Sequence, residues 1–509
     1  MANSGKVSKG LTYKTKSKLI FGIVVALLIL IVGGYFVYIS GIATKIIPAV
    51  RVEQTVDGAT RTVGKAYVPE LNYYRNQILS MYSMYGFDVG EEYLNTIDEE
   101  SGKTNGEVIY DNAAEQLASV MLVNEKAKKD AQFVTGSDRY AQAQIDLMET
   151  RASSNNFPSI NAYLAAIYGT GMSTSTFRDI VAAQEISQEY QEYLKQFALA
   201  PTQEELQAAF DENTNGYASV NFNGYLFSFE EFEGDKAKEA AEAVCKAAKD
   251  SDSFSQAVID QIGADAAEAA GFTVESNSSY YSAVSKSSIN GEAFPEGLEE
   301  FAFNQDNVGK AQVFEMKDKG WYVAYLSKLD DKTEPSYSYR ALVLENSVAS
   351  EEGAKADKIL LECDKLEKKA QQIQNGITDE YSFVKAVKEN TDDYDAITTG
   401  GYTKGVSGEQ FQNDSGLEVV GGTDQFGAWL TDPARQHGDM IIIRESDNSK
   451  VTLYYFDEAV PTWQVTAGDE ITTSKLNDWS ATALNLSNTV PYVAYDLADK
   501  LTYYASVGN

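Results

Sequence analysis

Histidine, the side chain most often used for proton transfer near neutral pH, occurs once in this 509-residue chain, as His437 in "ARQHGD". Catalytic serine, cysteine and aspartate nucleophiles need a neighbouring base, and the sequence places no histidine beside such a residue. The segment around His437 has the composition of a loop that precedes a strand. We therefore interpret His437 as a turn residue, and we do not expect a hydrolase of the Ser–His or Cys–His type.

Metal and phosphate motifs are equally sparse. Cys245 and Cys363 lie far apart in predicted helices, so they form neither a zinc spacing nor a disulfide framework. The segment 211–216, "DENTNG", copies the first half of an EF-hand loop, but its twelfth position is Phe222 where a bidentate glutamate is needed. The "GTG" at 169–171 follows no strand and lacks a third glycine, so it predicts a helix boundary rather than a phosphate loop. The sequence predicts no metal and no cofactor.

The net charge of the chain is −33 at pH 7, which disfavours nucleic acid as a partner. This charge is unevenly spread, because the first 41 residues contain five lysines and no acidic residue. A strongly acidic surface keeps a protein soluble, and it also favours basic or neutral binding partners.

Residues 19–39, "LIFGIVVALLILIVGGYFVYI", contain no charge and are long enough to cross a hydrocarbon core of about 30 Å. The basic tail at 1–18 places the N-terminus in the cytoplasm by the positive-inside rule. A cleaved signal peptide is the alternative, but its apolar region is shorter, about 7–15 residues. We therefore predict a transmembrane anchor at 19–41, with the bulk of the chain extracytoplasmic. No small-molecule cofactor is predicted among its partners.

The remaining chain predicts an α+β protein of several domains. Residues 50–79 read as a hairpin turning at Asp57-Gly58 and a helix opened by Pro69, and a helical domain is expected over 50–200. Two later segments share one order of elements: a strand, a charged helix, a short helix and a closing hairpin. We predict two tandem α+β modules at 201–331 and 335–465, and a C-terminal helical segment at 466–509.

The order of these elements resembles a known family. The strand, the helix, the short "FSQAV" or "FVKAV" helix and the glycine-headed hairpin "KDKGWYVAYL" resemble the parvulin-type prolyl isomerase fold. The segments "DGATRTVGKAYV" and "STFRDIVAAQEISQEYQEYLKQF" look like the N-terminal chaperone domain of SurA- and PrsA-type foldases. The stretch "PTQEELQAAFDENTNGY" is similar to the family's linker into the isomerase module.

The departures from this family concern its catalytic histidines. Active parvulins carry one histidine in the first strand and one in the last, whereas this chain has Gly224 and Tyr322 at those places in the first module. The second module has Ala341 and no histidine in "VTLYYF". The resemblance also matches Phe303 to a pocket phenylalanine of the family. Candidate peptide-binding residues are Tyr225, Phe227, Phe303, Met316, Trp321 and Tyr322.

We expect a membrane-anchored chaperone or foldase that binds unfolded secreted polypeptides, with parvulin-like modules that lack catalytic activity. One alternative is an active prolyl isomerase, because rotation about an X-Pro bond transfers no proton and a dry pocket can lower its barrier. A second alternative is a cell-surface scaffold with one dedicated partner.

Overall fold

The computed structural model describes residues 42–213, 215–275, 279–289, 293–408 and 423–495. The predicted anchor and the residues from 496 onward lie outside these ranges. Within the described ranges, no helix combines the length and the apolar character needed to cross a membrane.

The helices and strands are numbered in chain order. The first part of the chain forms α1 (Ile42–Ile46), β1 (Pro48–Val56), β2 (Ala59–Tyr67), α2 (Val68–Met84), α3 (Glu91–Asn95), α4 (Asn105–Ala127), α5 (Ser137–Ser154), α6 (Ile160–Tyr168), α7 (Thr174–Tyr193) and α8 (Gln203–Glu212). A first mixed region contains β3 (Ser219–Ser228), α9 (Lys236–Ala247), α10 (Ser251–Ile262), α11 (Ala264–Ala269), β4 (Tyr280–Ser285), α12 (Lys286–Ile289), α13 (Leu298–Ala302), β5 (Ala311–Met316) and β6 (Gly320–Asp330). The rest of the chain forms β7 (Pro335–Glu345), α14 (Ala356–Gly376), α15 (Glu380–Asn390), α16 (Ala396–Thr399), β8 (Tyr402–Ser407), α17 (Thr423–Leu430), β9 (Met440–Arg444), β10 (Lys450–Pro461), α18 (Thr462–Trp479) and β11 (Thr489–Val493).

The protein has a mixed α+β fold with three small antiparallel sheets, which confirms the predicted class. The chain divides into two compact units. Of the described residues, unit 1 contains those within 42–194, 384–400 and 477–495, and unit 2 contains those within 195–383 and 401–476.

The sheet of unit 1 has the strand order β11-β1-β2. The predicted turn between β1 and β2 is confirmed, because Asp57 and Gly58 both have positive φ, as a type I′ hairpin turn requires. Pro69 lies in the first turn of α2, also as predicted. The third strand, β11, pairs with β1 from the far end of the chain, so residues of the predicted C-terminal segment complete this sheet.

The helices of unit 1 begin and end at residues with clear local signals. Gly169 ends α6 with φ +88°, and Ser173 Oγ accepts the Thr176 N–H at the start of α7. This arrangement confirms that "GTGMS" separates two helices. The apolar faces of α2, α4, α5, α6 and α7 meet in one core in which Leu71, Ala113 and Leu164 are fully buried. Burial of these faces, rather than intrinsic helix propensity, provides most of the stability of such helices.

Unit 2 contains two four-stranded antiparallel sheets of the same topology. Their orders are β4-β3-β6-β5 and β8-β7-β10-β9. In each sheet the first and last strands pair in the centre, and the second and third strands lie at the edges. Helices α9 and α10 cover one face of the first sheet, and α14 packs on the second.

Three short edge strands were not expected from the sequence. No strand was predicted for the segments of β4 and β8, and β11 lies within the predicted C-terminal helical segment. The predicted closing helix, "SKLNDWSATALNL" at 474–486, is largely helical, because α18 runs from Thr462 to Trp479 and a π-helical turn continues it over Ser480–Leu484. These strands form because a longer partner strand supplies their hydrogen bonds, not because their own sequences alternate.

A buried ion pair lies inside unit 1. Glu189 is fully buried and accepts hydrogen bonds from Lys388 Nζ at 2.6 Å, from Gly136 N at 3.0 Å and from Thr135 Oγ1 at 3.0 Å. Lys388 is 4% exposed and also donates to the Val134 carbonyl at 3.0 Å. Because every charged atom has hydrogen-bond partners, removing one partner would leave an uncompensated buried charge.

Glu185, one helical turn before Glu189, is less well compensated. It is 1% exposed, and its Oε1 accepts the Thr398 hydroxyl at 2.7 Å. Its buried Oε2 has no hydrogen-bond partner among the described residues. Burial, with a contribution from the charge of Glu189, raises the pKa of Glu185 to about 7, although the Thr398 hydrogen bond opposes this shift. Between about pH 4.5 and pH 7, Glu185 therefore holds a proton in the folded state that it loses in the unfolded chain.

We expect Glu185→Gln to remove a pH dependence of stability in unit 1. Because the folded-state pKa of about 7 exceeds the ordinary value of 4.5, stability falls as pH rises between these values and is level above pH 7. Glutamine keeps the acceptor for Thr398 and carries no charge, so the variant should gain roughly 2–3 kcal/mol at pH 8 and little at pH 4. Amide hydrogen exchange of α7 measures the difference between variant and wild type at each pH.

The control is Glu149→Gln, which replaces an exposed carboxylate on α5. This substitution should leave α7 protection unchanged at both pH values. Equal protection of α7 in the wild type and Glu185→Gln at pH 8 would show that Glu185 is already ionised without penalty.

Candidate functional site

In the first sheet of unit 2, Gly224 and Tyr322 occupy the places where the resemblance implies catalytic histidines. They lie on the paired central strands β3 and β6. Gly224 is buried, and a Cβ atom there would lie 1.9 Å from Tyr322 Oη and 2.6 Å from its Cζ. The tyrosine ring thus fills the space that a side chain at 224 would need, and no pair of proton-transfer groups can form at this point.

Tyr322 itself is poorly suited to acid–base chemistry. It is 4% exposed, and its hydroxyl has no hydrogen-bond partner among the described residues. Burial raises the pKa of Tyr322 well above its ordinary value, and the nearby Tyr281 adds to this effect. The phenol therefore stays protonated at physiological pH and acts as a packing group.

Three of the six candidate residues lie together. Phe303, Met316 and Tyr322 belong to one apolar cluster that also contains Phe222 and Phe314. Each of the three candidates is less than a tenth exposed. A peptide can reach them only if neighbouring groups move, so this face of the sheet is a closed core.

The other three candidates lie on the opposite face of the same sheet. Tyr225, Phe227 and Trp321 pack against the cluster formed with α9 and α10. Phe227 is fully buried, and the Tyr225 and Phe227 rings meet edge-on at 4.9 Å. Trp321 is partly exposed, with the Lys238 ammonium 4.8 Å from its ring centroid. The six candidates therefore form two groups of three and not one pocket.

A hollow of about 410 Å³ borders Phe303 at the end of α13. Its lining is polar, because Asn215, Lys286, Glu299 and Glu300 surround the single aromatic ring. Lys286 and Glu299 lie 3.4 Å apart as an ion pair. This hollow lacks the predominantly apolar lining that typifies binding sites for small apolar ligands.

The second sheet has a similarly closed aromatic face. Ala341 lies directly opposite Tyr454 on the paired strands β7 and β10. The Tyr454 ring stacks on Phe426, with centroids 4.1 Å apart, and Tyr339 meets Phe426 edge-on at 5.1 Å. As in the first sheet, aromatic packing occupies the face where the resemblance implies a catalytic pocket.

The opposite face of the second sheet carries a charged group that the sequence analysis missed. Arg340 on β7 is 1% exposed and donates to Glu380 Oε1 through Nε at 2.9 Å and Nη2 at 2.6 Å. Nη2 also donates to Gln196 at 2.9 Å, and the Tyr402 ring lies 4.6 Å from the guanidinium. An arginine inside the apolar strand "SYRALVL" was the sequence signal that could have pointed to this group.

His437 lies beside this charged group and has well-defined contacts. Its Nδ1 is 2.9 Å from the Asp457 carbonyl oxygen and 3.2 Å from Asp457 Oδ1, and its Nε2 is 3.1 Å from Tyr455 Oη. Burial raises the pKa of Asp457, and the charge of Glu380 raises it further while Arg340 lowers it. His437 does lie in the loop before β9, as predicted, but it also belongs to a cluster of ionisable side chains.

We expect Gly224→Ala to destabilise the first sheet by about 1–3 kcal/mol, because the new methyl group overlaps the Tyr322 ring. In a Tyr322→Val background, Gly224→Ala should lower the free energy of unfolding by clearly less, because the atoms of the Tyr322 ring that overlap the new methyl group are absent. Urea unfolding of the four proteins of this double-mutant cycle gives the coupling energy.

Gly376→Ala is the matched control, because no atom lies within 4 Å of a Cβ at this position. It should change the unfolding free energy by less than about 0.5 kcal/mol. An equal cost of Gly224→Ala in both backgrounds would mean that Tyr322 does not fill this space.

Comparison with known proteins gives this chain no family. No protein-family model matches it, and no curated protein matches it either. The resemblance to parvulin-type foldases therefore rests on the order of its elements and on the segments quoted above.

Proposed function

We propose that this protein is a membrane-anchored, extracytoplasmic foldase-like chaperone that binds unfolded segments of secreted polypeptides. Its two four-stranded sheets are proposed to be parvulin-like modules that do not catalyse prolyl isomerisation. The observation that carries the proposal is a group of exposed apolar side chains in unit 1.

This group, here called the α2 tip, consists of Met81, Met84, Tyr85 and Phe87. Met84 is 86% exposed and Tyr85 is 75% exposed, and Phe87 packs only partly, against Tyr82. Met81 and Met84 are three residues apart and share one face of the last turn of α2, and Tyr85 is the C-cap residue that follows directly. Contiguous exposed apolar groups typically mark interaction sites, and methionine adapts to partners of many shapes.

Acidic residues follow the α2 tip directly. Asp88, Glu91 and Glu92 are exposed in the next segment. A flexible apolar surface beside negative charge suits unfolded chains with apolar and basic residues, because the contacts need no fixed partner geometry. The strongly acidic chain also keeps such a surface from self-association.

The two sheets support the module part of the proposal. Both repeat one strand order, with the first strand paired to the last. Their aromatic faces are filled by Tyr322 in the first sheet and by the Phe426–Tyr454 stack in the second. A closed face offers no dry pocket for a prolyl peptide, which argues for binding without isomerisation.

We expect the full chain to suppress aggregation of a chemically denatured model protein in a concentration-dependent manner. The double variant Met84→Ser/Tyr85→Ser should need about tenfold more protein for the same effect, because two exposed apolar contacts are lost. Light scattering during dilution of the client from denaturant measures this effect.

Leu361→Ser is the control, because Leu361 on α14 is also strongly exposed, at 59%, and lies in unit 2. Its suppression curve should match that of the wild type. Tight binding of one native partner without any suppression would favour a dedicated scaffold instead. Equal loss in the control and the double variant would show that the α2 tip is not the client site.

We also expect no acceleration of X-Pro exchange. Exchange cross-peaks of a proline peptide, recorded by NMR with and without the full chain, should give the uncatalysed rate, on a timescale of tens of seconds. Clear acceleration, abolished by Phe303→Ala, would contradict the closed aromatic face and establish an isomerase.

A further inference from the structure

We propose that Glu380, His437 and Asp457 form a binding site for one divalent metal ion of the zinc type. Each residue offers one ligand atom, and these atoms all lie within 4.8 Å of one another. The site is independent of the α2 tip and of any client binding. It lies within unit 2, on the face of the second sheet opposite the aromatic cluster.

Three separate segments bring the ligands together. Glu380 begins α15, His437 lies in the loop before β9, and Asp457 lies at the irregularity in β10 between Phe456 and Glu458. Zinc bonds of about 2.0–2.2 Å place tetrahedral ligand atoms about 3.3–3.6 Å apart. The separation of His437 Nδ1 and Asp457 Oδ1, 3.2 Å, is already close to this value. The Glu380 carboxylate oxygen lies within 4.8 Å of both atoms, so it must move inward by up to about 1.5 Å to complete the set.

Neighbouring groups orient two of the three ligands, as is usual around protein-bound zinc. Both hydrogen bonds from Arg340 to Glu380 end on Oε1, which leaves Oε2 as the atom for the metal. Tyr455 Oη lies 3.1 Å from His437 Nε2. When Nδ1 binds the metal through its lone pair, the ring proton resides on Nε2 and is donated to Tyr455 Oη. The contact of Nδ1 with the Asp457 carbonyl is then replaced by the metal bond.

The charge balance also favours a cation. Glu380 and Asp457 are both largely shielded from solvent, with side chains 22% and 15% exposed, and Arg340 forms an ion pair with Glu380, whereas Asp457 lies beside His437. The adjacent carboxylate of Glu458 adds negative charge to the same region. A divalent ion between the two ligand carboxylates offsets their mutual repulsion.

The ligand types select among metals. Calcium and magnesium prefer oxygen ligands, and calcium takes six to eight of them, so a site with an imidazole and two carboxylates suits neither. One nitrogen and two carboxylate oxygens with a free position suit zinc and related first-row ions. His437 is 57% exposed, so the ion can enter from solvent and keep a water ligand.

The chain has a single histidine, which makes the test direct. The full chain, prepared without a histidine tag and with ¹⁵N-labelled histidine, gives one pair of ring nitrogen signals, both from His437. We expect Zn²⁺ to shift these signals and to saturate at one equivalent, with the larger change at Nδ1. The same concentration of Ca²⁺ should leave them in place.

Variants then assign the carboxylate ligands. Asp457→Asn and Glu380→Gln should each weaken Zn²⁺ binding about tenfold or more, measured by competition with a chelating dye. His437→Gln should weaken it as much, and because this side chain is exposed the variant keeps its fold. Asp439→Asn is the control: it lies two residues from His437 but pairs with Arg435 at 3.2 Å, so its binding should equal that of the wild type.

Two results would overturn the proposal. One is a His437 signal that titrates with pH but does not respond to Zn²⁺, which would define an ordinary ion pair with Asp457. The other is equal Zn²⁺ affinity in all four variants, which would define diffuse binding to the acidic surface. If the chain failed to suppress aggregation of a denatured client, that result would contradict the proposed chaperone function but not the metal site.

Discussion

The pairing of the first strand with the last is the constraint on which both four-stranded sheets of unit 2 depend. β3 pairs with β6 from Ser219 opposite Asp330 to Ser228 opposite Gly320, and β7 pairs with β10 over a similar length. About a hundred residues lie between the paired strands, so closing each sheet carries a loop-closure cost before any helix between them can pack. Once each sheet is closed, the pairing fixes which residues face one another: Gly224 beside the Tyr322 ring, Ala341 opposite Tyr454 and Arg340 opposite Tyr455.

The features that sequence could predict are those whose signals are local. The hairpins β5–β6 and β9–β10 contain alternating apolar residues around turns in which Asp318 and Asn448 adopt positive φ. Helix starts at Pro69 and Ser173 likewise depend on a few adjacent residues. The edge strands β4, β8 and β11 could not be predicted in this way, because each is short and obtains its hydrogen bonds from a longer partner that lies far away in sequence.

The candidate site illustrates the same limit. Alternation along one strand separates Trp321 from Tyr322, but it does not tell which of them shares a face with Tyr225. That relation depends on the register of β3 against β6, in which Tyr225 lies opposite Val323. A shift of one residue would have placed the candidates differently. The cluster around His437 is even harder to predict from the sequence, because its residues come from a helix start, a loop and a strand irregularity.

The two sheets share a topology but differ in the chemistry of the face opposite their closed aromatic clusters. In the first sheet this face is apolar, with Phe227 and Val323 fully buried against a cluster that includes Val244 of α9. In the second it contains the buried Arg340–Glu380 pair, although apolar residues of similar volume often stabilise a fold as well as or better than such a pair. Stability alone therefore does not account for the ion pair. Its geometric effect is to hold Glu380 beside Asp457 and the exposed His437, and that effect is what the proposed metal site requires.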